Sequence, residues 1–162
     1  MGLFDWLKKG SNSSQSSDSV TISNTKTFAF GKWRGQPLQW HTLKKERGKV
    51  LVITQDCIAV KPFHAAQEAA NWQKCTLRKW LNKDFFNSAF TEEEKKRFLE
   101  SENLTHRDNG SNGSVKSSSF ITKDFIFLLS KEEVEQYFTD DTSRCAKMLW
   151  TKNDIKDCLN IK

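Results

Sequence analysis

Cysteine and histidine are the residue types in this chain that could serve as a nucleophile and its general base. Two pairings are available, Cys57 with His64 and Cys75 with His41. Nucleophilic catalysis needs both side chains within hydrogen-bond reach and a third group that orients the base. Nothing in the spacing favours either pairing, and thiols that only fill space are far more common. We therefore predict no catalytic residues and no enzyme, with cysteine-dependent catalysis as the third-ranked alternative.

Metal binding is the second chemistry that these residue types could provide. A structural zinc site needs four ligands, usually in closely spaced pairs such as C-x-x-C. No two of the four cysteines have that spacing, and the three histidines are scattered along the chain. The glutamates at 92–94 follow Thr91 in the pattern of a capped helix start, where carboxylates stabilise the first turn. The sequence therefore predicts no metal site and no cofactor.

Residues 72–88, WQKCTLRKWLNKDFFNS, alternate basic and aromatic side chains as single-strand nucleic-acid binders do. The residues concerned are Trp72, Lys74, Arg78, Lys79 and Trp80. Helical spacing places Leu77, Trp80 and Leu81 on one apolar face, whereas Arg78 and Lys79 lie on the opposite face. Base-stacking and phosphate-binding groups would then not share a groove. Nucleic-acid binding is accordingly an alternative function and not the favoured one. The favoured interpretation of residues 72–88 is a helix whose apolar face packs in the core and whose basic face lies in solvent.

Composition sets the broad class of the protein. The chain has 162 residues, of which 36% are hydrophobic, and its formal net charge is +6. That length allows one ordinary domain with a core, and the charge favours weak attraction to anionic surfaces. No secretory signal and no run of about 20 apolar residues is present. We therefore expect a cytoplasmic protein with free, partly buried thiols.

The N-terminal ten residues, MGLFDWLKKG, have the pattern of a short amphipathic helix. Leu3, Phe4 and Leu7 would share one face, and Lys8 would lie on the other. A Ser-rich flexible linker at 11–24 follows. We predict that the segment contacts a membrane or a partner, which would place the protein peripherally at the inner membrane face. The alternative is that the segment frays in solution or docks on its own domain. The predicted contact residues are Leu3, Phe4, Trp6, Leu7, Lys8 and Lys9.

Residues 25–146 are predicted to form one globular α+β domain. The alternating segments TKTFAFGKW and PLQWHTLKK and the β-branched run KVLVIT predict a small antiparallel sheet. Two or three helices follow, with capping boxes at Thr91–Glu94 and Ser130–Glu133. A polar loop is expected at 101–119, a buried strand at 125–129, and a C-terminal tail at 147–162 with weak helical spacing.

Large apolar side chains at helix and strand positions define the predicted structural core. Its members are Trp40, Trp72, Leu77, Trp80, Leu81, Phe90, Phe127 and Leu129.

Three sequence steps resemble the bacterial family called domain of unknown function 6273. They are a Trp followed by LRKWLN, then AFTEEEK, then TKDFIFLLSKEE, in that order within residues 28–146. The family pattern continues into closing strands, and residues 147–162 do not resemble that continuation. The resemblance implies a C-type-lectin-like fold that lacks its C-terminal strands. We expect a non-catalytic binding or interaction module whose partner is an unidentified protein or small ligand.

Overall fold

Three strands form the antiparallel meander that the alternating segments predicted. The computed structural model describes residues 2–5, 27–66, 70–106 and 119–148. The three strands are β2 (Phe28–Trp33), β3 (Gln36–Glu46) and β4 (Lys49–Thr54). Their two-residue loops, Arg34–Gly35 and Arg47–Gly48, have positive φ at both positions, as type I′ hairpin turns require. The predicted α+β class with a small antiparallel sheet is therefore confirmed.

The N-terminal residues add a strand to this sheet. β1 (Gly2–Asp5) runs antiparallel to β4 on one side and to β5 (Phe98–Leu99) on the other, so the strand order is β2-β3-β4-β1-β5. The predicted helix is therefore wrong for residues 2–5. As a strand, these residues form backbone hydrogen bonds with β4 and β5. A helix this short would leave many of the same N–H and C=O groups exposed to water. The predicted contacts of Trp6 and Leu7, and the linker at 11–24, lie outside the described residues.

The helical layer begins where residues 72–88 were predicted to be helical. α1 (Thr76–Lys79) runs without a break into a π-helix (Trp80–Phe85) and then into α2 (Phe86–Ala89). The thiol of Cys75 takes the N-cap position and accepts a hydrogen bond from the backbone N–H of Arg78 at 3.4 Å. A buried cysteine is therefore part of how this helix starts.

α3 (Glu92–Lys95) has the capping box that its sequence predicted, with the Thr91 hydroxyl accepting from the backbone N–H of Glu94. The helix is only four residues long. It ends early because Phe98 and Leu99 form β5 beside β1. Tertiary pairing here overrides local helix propensity.

The Glu94 carboxylate joins α3 to the sheet. It accepts hydrogen bonds from the backbone N–H of Thr91 at 2.8 Å and of Gly31 at 3.0 Å. Partial burial raises the pKa of Glu94, but the hydrogen bonds together lower it by more than burial raises it. The pKa of Glu94 therefore lies below its ordinary value of 4.5. A depressed carboxylate pKa stabilises the fold above the unfolded-state value, and this stabilisation is lost as the pH falls through the folded-state value.

We predict that Glu94→Gln lowers the free energy of unfolding by about 1 kcal/mol at pH 7, since one carboxylate oxygen becomes a donor facing a donor. The difference from the parent protein shrinks as the pH falls below 4.5. Urea unfolding at several pH values measures it. Glu93→Gln is the control, because the Glu93 side chain is 83% exposed and binds only Lys96 among the interactions described. A Glu94→Gln effect that does not vary with pH would contradict the account.

Two further strands occupy the region predicted as a polar loop. β6 (Ser101–His106) and β7 (Ser119–Asp124) pair antiparallel in a separate two-stranded sheet. The loop prediction is wrong for residues 101–106, because cross-strand pairs with β7 supply the order that hydrophobic periodicity did not reveal. Residues 107–118 lie outside the described part of the chain.

The buried segment after β7 is not the strand that was predicted at 125–129. The strand ends at Asp124, and the chain continues irregularly to the capping box of α4 (Lys131–Tyr137). Both parts of that predicted capping box, at Ser130 and Glu133, are present. Of the tail at 147–162, only residues 147 and 148 are described, and Met148 forms an isolated parallel bridge with Cys57.

The core lies between the five-stranded sheet and the helices and consists mainly of aromatic rings. Phe90 contacts rings from both layers, with centroid distances of 4.6 Å to Phe98 of the sheet and 5.8 Å to Phe86 of α2. Phe86 stacks on Phe125 at 5.0 Å with an interplanar angle of 6°. Within the described ranges, no helix is long and apolar enough to cross a membrane.

Candidate functional site

The Asp124 carboxylate accepts four hydrogen bonds, and its side chain is fully buried. Arg78 Nε donates to Oδ1 at 2.6 Å. Oδ2 accepts from Trp72 Nε1 at 3.0 Å, Asn103 Nδ2 at 3.1 Å and the Thr122 hydroxyl at 2.7 Å. We call these five residues the Asp124 cluster.

Regular secondary structure brings the Asp124 cluster together. Thr122 and Asp124 are two residues apart on β7 and so point to the same face of the strand. Asn103 is the register partner of Thr122 on β6. Trp72 lies in the turn before α1, and Arg78 lies on α1 itself. The cluster therefore ties the helical layer to the two-stranded sheet.

Asn82 makes a second connection between the same elements. Its side-chain oxygen accepts from the backbone N–H of Phe125 at 2.8 Å and of Ile126 at 3.1 Å. Its amide nitrogen donates to the carbonyl of Ile126 at 2.8 Å. These bonds satisfy the backbone after β7 without a neighbouring strand, which explains why a buried segment there is irregular. Asn82 belongs to the π-helix, a local distortion that is frequent at sites under specific constraint.

The Asp124 cluster is suited to holding structure and unsuited to acid–base chemistry. A carboxylate offers about four acceptor sites, and here four donors bind it, three at Oδ2 and one at Oδ1. A base needs a free lone pair directed at substrate. The Arg78 side chain is 24% exposed and compensates the buried charge. Such a pair rigidifies a fold only while every partner remains in place.

The cysteine and histidine candidates are placed differently from one another. The Cys75 thiol is fully buried and donates to the carbonyl of Trp72 at 3.4 Å, so it is a structural thiol. Cys57 is exposed, and its backbone N–H donates to the carbonyl of Lys147 at 2.8 Å. His64 Nδ1 is buried and has no hydrogen-bond partner among the described residues. In the same part of the chain, no three His, Cys, Asp or Glu residues group as metal ligands would.

The residues of the nucleic-acid hypothesis do not form one surface. Trp72 and Arg78 are engaged with Asp124. Trp80 is half-buried, with Lys61 Nζ 5.0 Å from its ring centroid. Lys74 and Lys79 remain exposed. The hypothesis itself stays a prediction.

The predicted core residues lie on the inner side of the layers. Five are buried: Trp40, Trp72, Leu81, Phe90 and Phe127. The other three are partly buried and pack against that cluster: Leu77, Trp80 and Leu129. Sequence reasoning singled out none of Asp124, Thr122, Asn103 and Asn82 as site residues. The T-x-D spacing on a strand, which the family resemblance included, was the signal that two polar side chains share one face.

An open groove of about 710 Å³ lies at the end of the sheet, between the end of β4 and the turn that follows α4. Ile53 and Phe138 contribute apolar surface, and Gln55, Thr142 and Ser143 contribute amide and hydroxyl groups. We call it the β4-end groove. His41, one member of the predicted catalytic pairings, also lines it.

Charged groups beside the β4-end groove hold its own wall together. The Asp140 carboxylate accepts from the backbone N–H of Ser143 at 2.8 Å, and that bond, with one from the Thr139 hydroxyl, places the pKa of Asp140 below its ordinary value. Arg144 pairs with Asp141 at 3.1 Å and donates to the carbonyl of Phe138. The turn is thus built before any ligand arrives.

A second groove of about 400 Å³ lies between the β3–β4 hairpin and α4. Lys44 and Glu46 form an exposed pair there at 2.8 Å, and Tyr137 and Glu133 contribute from the helix. Burial raises the pKa of Tyr137. Three basic and three acidic side chains line this smaller groove, so their charges balance. The groove therefore has no net electrostatic preference for cations or for anions.

The protein is a small α+β domain. Its helical layer is joined to the two-stranded sheet by hydrogen bonds to the buried Asp124 carboxylate. The chain belongs to the family described as Domain of unknown function (DUF6273), whose model matches residues 47–161. No curated protein and no solved structure matches the chain. The family match starts later than the predicted range of 28–146 and ends later too, so it includes most of the tail. The absence of closing strands stays a prediction.

Proposed function

We propose that this chain is a non-catalytic binding module and that its ligand lies in the β4-end groove. The observation in support is the groove itself: about 710 Å³, an apolar floor, and several convergent amide and hydroxyl groups. Pockets of roughly 300–1,000 Å³ with this mixture are typical of small-molecule sites. A C-type-lectin-like relationship remains part of the proposal.

The chemistry of the groove favours a ligand with hydroxyl or amide groups over a strongly charged one. Asp140 and Arg144 already have partners within the turn, and the other two charged side chains of the lining, Asp56 and Lys147, have opposite signs. The groups left to recognise a ligand include Gln55 and Thr142, whose side chains both donate and accept hydrogen bonds. Phe138, 9% exposed, contributes apolar surface to the lining.

The test is ligand-observed NMR with a panel of neutral mono- and disaccharides and N-acetyl amino-acid amides. We predict binding that weakens at least tenfold in Thr142→Trp, because the indole would fill the groove. Asn87→Trp is the matched control, since Asn87 is exposed on α2, away from the groove lining. Binding that is equal in the two variants, or no binding by any member of the panel, would contradict the proposal.

We also propose that the N-terminal segment tethers this module to an anionic membrane surface, on the cytoplasmic side. The support is the amphipathic pattern of residues 1–10, with Lys8 and Lys9 beside Trp6 and Leu7, and the chain's net charge of +6.

Co-sedimentation with vesicles that contain phosphatidylserine tests the tether. Trp6→Ser combined with Leu7→Ser leaves the residues of β1 unchanged, and we expect it to lose most vesicle binding. The control removes two exposed apolar side chains elsewhere, Phe63→Ser with Leu128→Ser; these are 43% and 52% exposed. If both double variants lose vesicle binding equally, the proposed tether is wrong.

A further inference from the structure

Residues 2–5 form the strand that fills the space between β4 and β5, and no other described strand lies there. β1 is the strand between β4 and β5, and β5 joins the five-stranded sheet through β1 alone. We call the gap between β4 and β5 the strand slot. In register, Leu3 stands between Leu51 and Leu99, and Phe4 stands between Val50 and Phe98.

The same four residues belong to the amphipathic pattern of the N-terminal segment. As a strand, their backbone groups pair with β4 and β5. As an interfacial helix, their carbonyl groups would accept hydrogen bonds from within the helix, and the apolar residues at 3, 4 and 7 would share one face. One backbone cannot make both sets of hydrogen bonds. Occupation of the strand slot and helical binding at a membrane are therefore mutually exclusive.

The connection to the body of the domain permits either state. Residues 6–27 separate β1 from β2, and a chain of that length reaches about 70 Å when extended. The Ser-rich composition of 11–19 is typical of a flexible linker. β1 has only four residues, of which two pair with β5, so opening it breaks few backbone pairs.

We propose that the N-terminal segment is a two-state element: residues 2–5 lie in the strand slot in solution and leave it as a helix on an anionic membrane. This proposal rests on the proposed tether and adds its regulation. The sheet competes with lipid for the same residues, so stabilising the strand weakens membrane binding, and a membrane opens the strand slot.

The experiment locks the strand in place. Asp5→Cys and Lys49→Cys are introduced together, since these residues are register partners and neither belongs to the predicted contact residues. Exposed Cys57 and Cys145, and Cys158, are changed to serine, while buried Cys75 is kept. The two new thiols are joined with a short reversible cross-linker, and the cleaved sample serves as its own control. Binding is measured by co-sedimentation with vesicles of 30% phosphatidylserine in phosphatidylcholine.

We expect the cross-link to form within one chain and to reduce vesicle binding at least tenfold, with recovery on cleavage. If Asp5→Cys cross-links no better with Lys49→Cys than with Thr54→Cys, which lies on β4 beyond the residues that pair with β1, the strand slot is not occupied and the proposal is wrong. If locked and cleaved samples bind equally, the switch is wrong and the tether stands. If neither binds, both are wrong.

A second pair of variants acts without a cross-link. Leu99→Asp weakens the slot without changing residues 1–10, and we expect it to bind vesicles at least threefold more strongly. Leu104→Asp carries the same change of charge on β6, where the side chain is 56% exposed, and we expect no gain. Equal binding by the two variants would overturn the proposed competition.

Discussion

Asp124→Ala is expected to lower the free energy of unfolding by about 3–5 kcal/mol, the cost of leaving one member of a buried ion pair without its partner. The substitution removes the acceptor of four donors at once, including the Arg78 guanidinium and the Trp72 indole. Trp72 and Thr122 are buried, so water would replace their lost hydrogen bonds poorly. Because a small domain is stable by only about 5–15 kcal/mol, we expect a large fall in the urea midpoint.

Asp124→Asn refines this expectation. The amide keeps one acceptor oxygen and the shape of the side chain but places a donor toward other donors, so an intermediate loss is expected. Asp141→Ala is the control: it also removes a carboxylate that pairs with an arginine, but that side chain is 98% exposed. Exposed pairs contribute little, so its urea midpoint should barely change. Similar midpoints for Asp124→Ala and Asp141→Ala would contradict the structural role.

Gly31→Ala is expected to be the second most damaging substitution. Gly31 is buried at φ +73° within the irregular part of β2, and a Cβ there would lie 2.4 Å from the Phe90 ring and 2.8 Å from the carbonyl oxygen of Ala89. Positive φ costs a residue with a Cβ roughly 1–2 kcal/mol. Overpacking against an aromatic ring and a helix carbonyl adds about 1–3 kcal/mol. We expect a combined loss of about 2–5 kcal/mol.

Gly35→Ala separates the two contributions to this loss. Gly35 has a similar φ of +79°, but nothing lies within 4 Å of a Cβ built there. The difference between the two unfolding free energies, measured in urea, therefore reports the close approach of β2 to the helical layer. If both variants lose the same stability, the close packing of Gly31 on Phe90 is not present in solution.

The sequence predicted the elements whose signals are local. Alternation and β-branched runs predicted the meander, and both capping boxes were predicted because each depends on two residues three apart. The helix start near Cys75 followed from apolar spacing. These features need no knowledge of what lies across the fold.

The features that the sequence did not predict depend on partners far along the chain. β1 pairs with residues 49–52 and 98–99, and helical spacing in MGLFDWLKKG gave no hint of either. α3 is short because Phe98 belongs to that same pairing. Asp124 looked like an ordinary polar residue, because its donors at 72, 78 and 103 meet it only after folding.

Residues 72–88 and the T-x-D step of β7 therefore have one shared physical explanation. They supply Trp72, Arg78, Asn82, Thr122 and Asp124, whose hydrogen bonds fasten the helical layer to the two-stranded sheet. The ligand-recognition role proposed for the β4-end groove falls on other residues. A substitution in the cluster should thus change binding only as far as it changes folding.

The most direct measurement of the structural role of the Asp124 cluster is a double-mutant cycle on the unfolding free energy with Arg78→Met, Asp124→Asn and the double variant. The Arg78–Asp124 contact of 2.6 Å at a fully buried carboxylate predicts a strong coupling between the two side chains, at least about 2 kcal/mol. Removing both partners together should then cost much less than the sum of the single losses. A coupling below about 0.5 kcal/mol, the level of independent sites, would contradict the account.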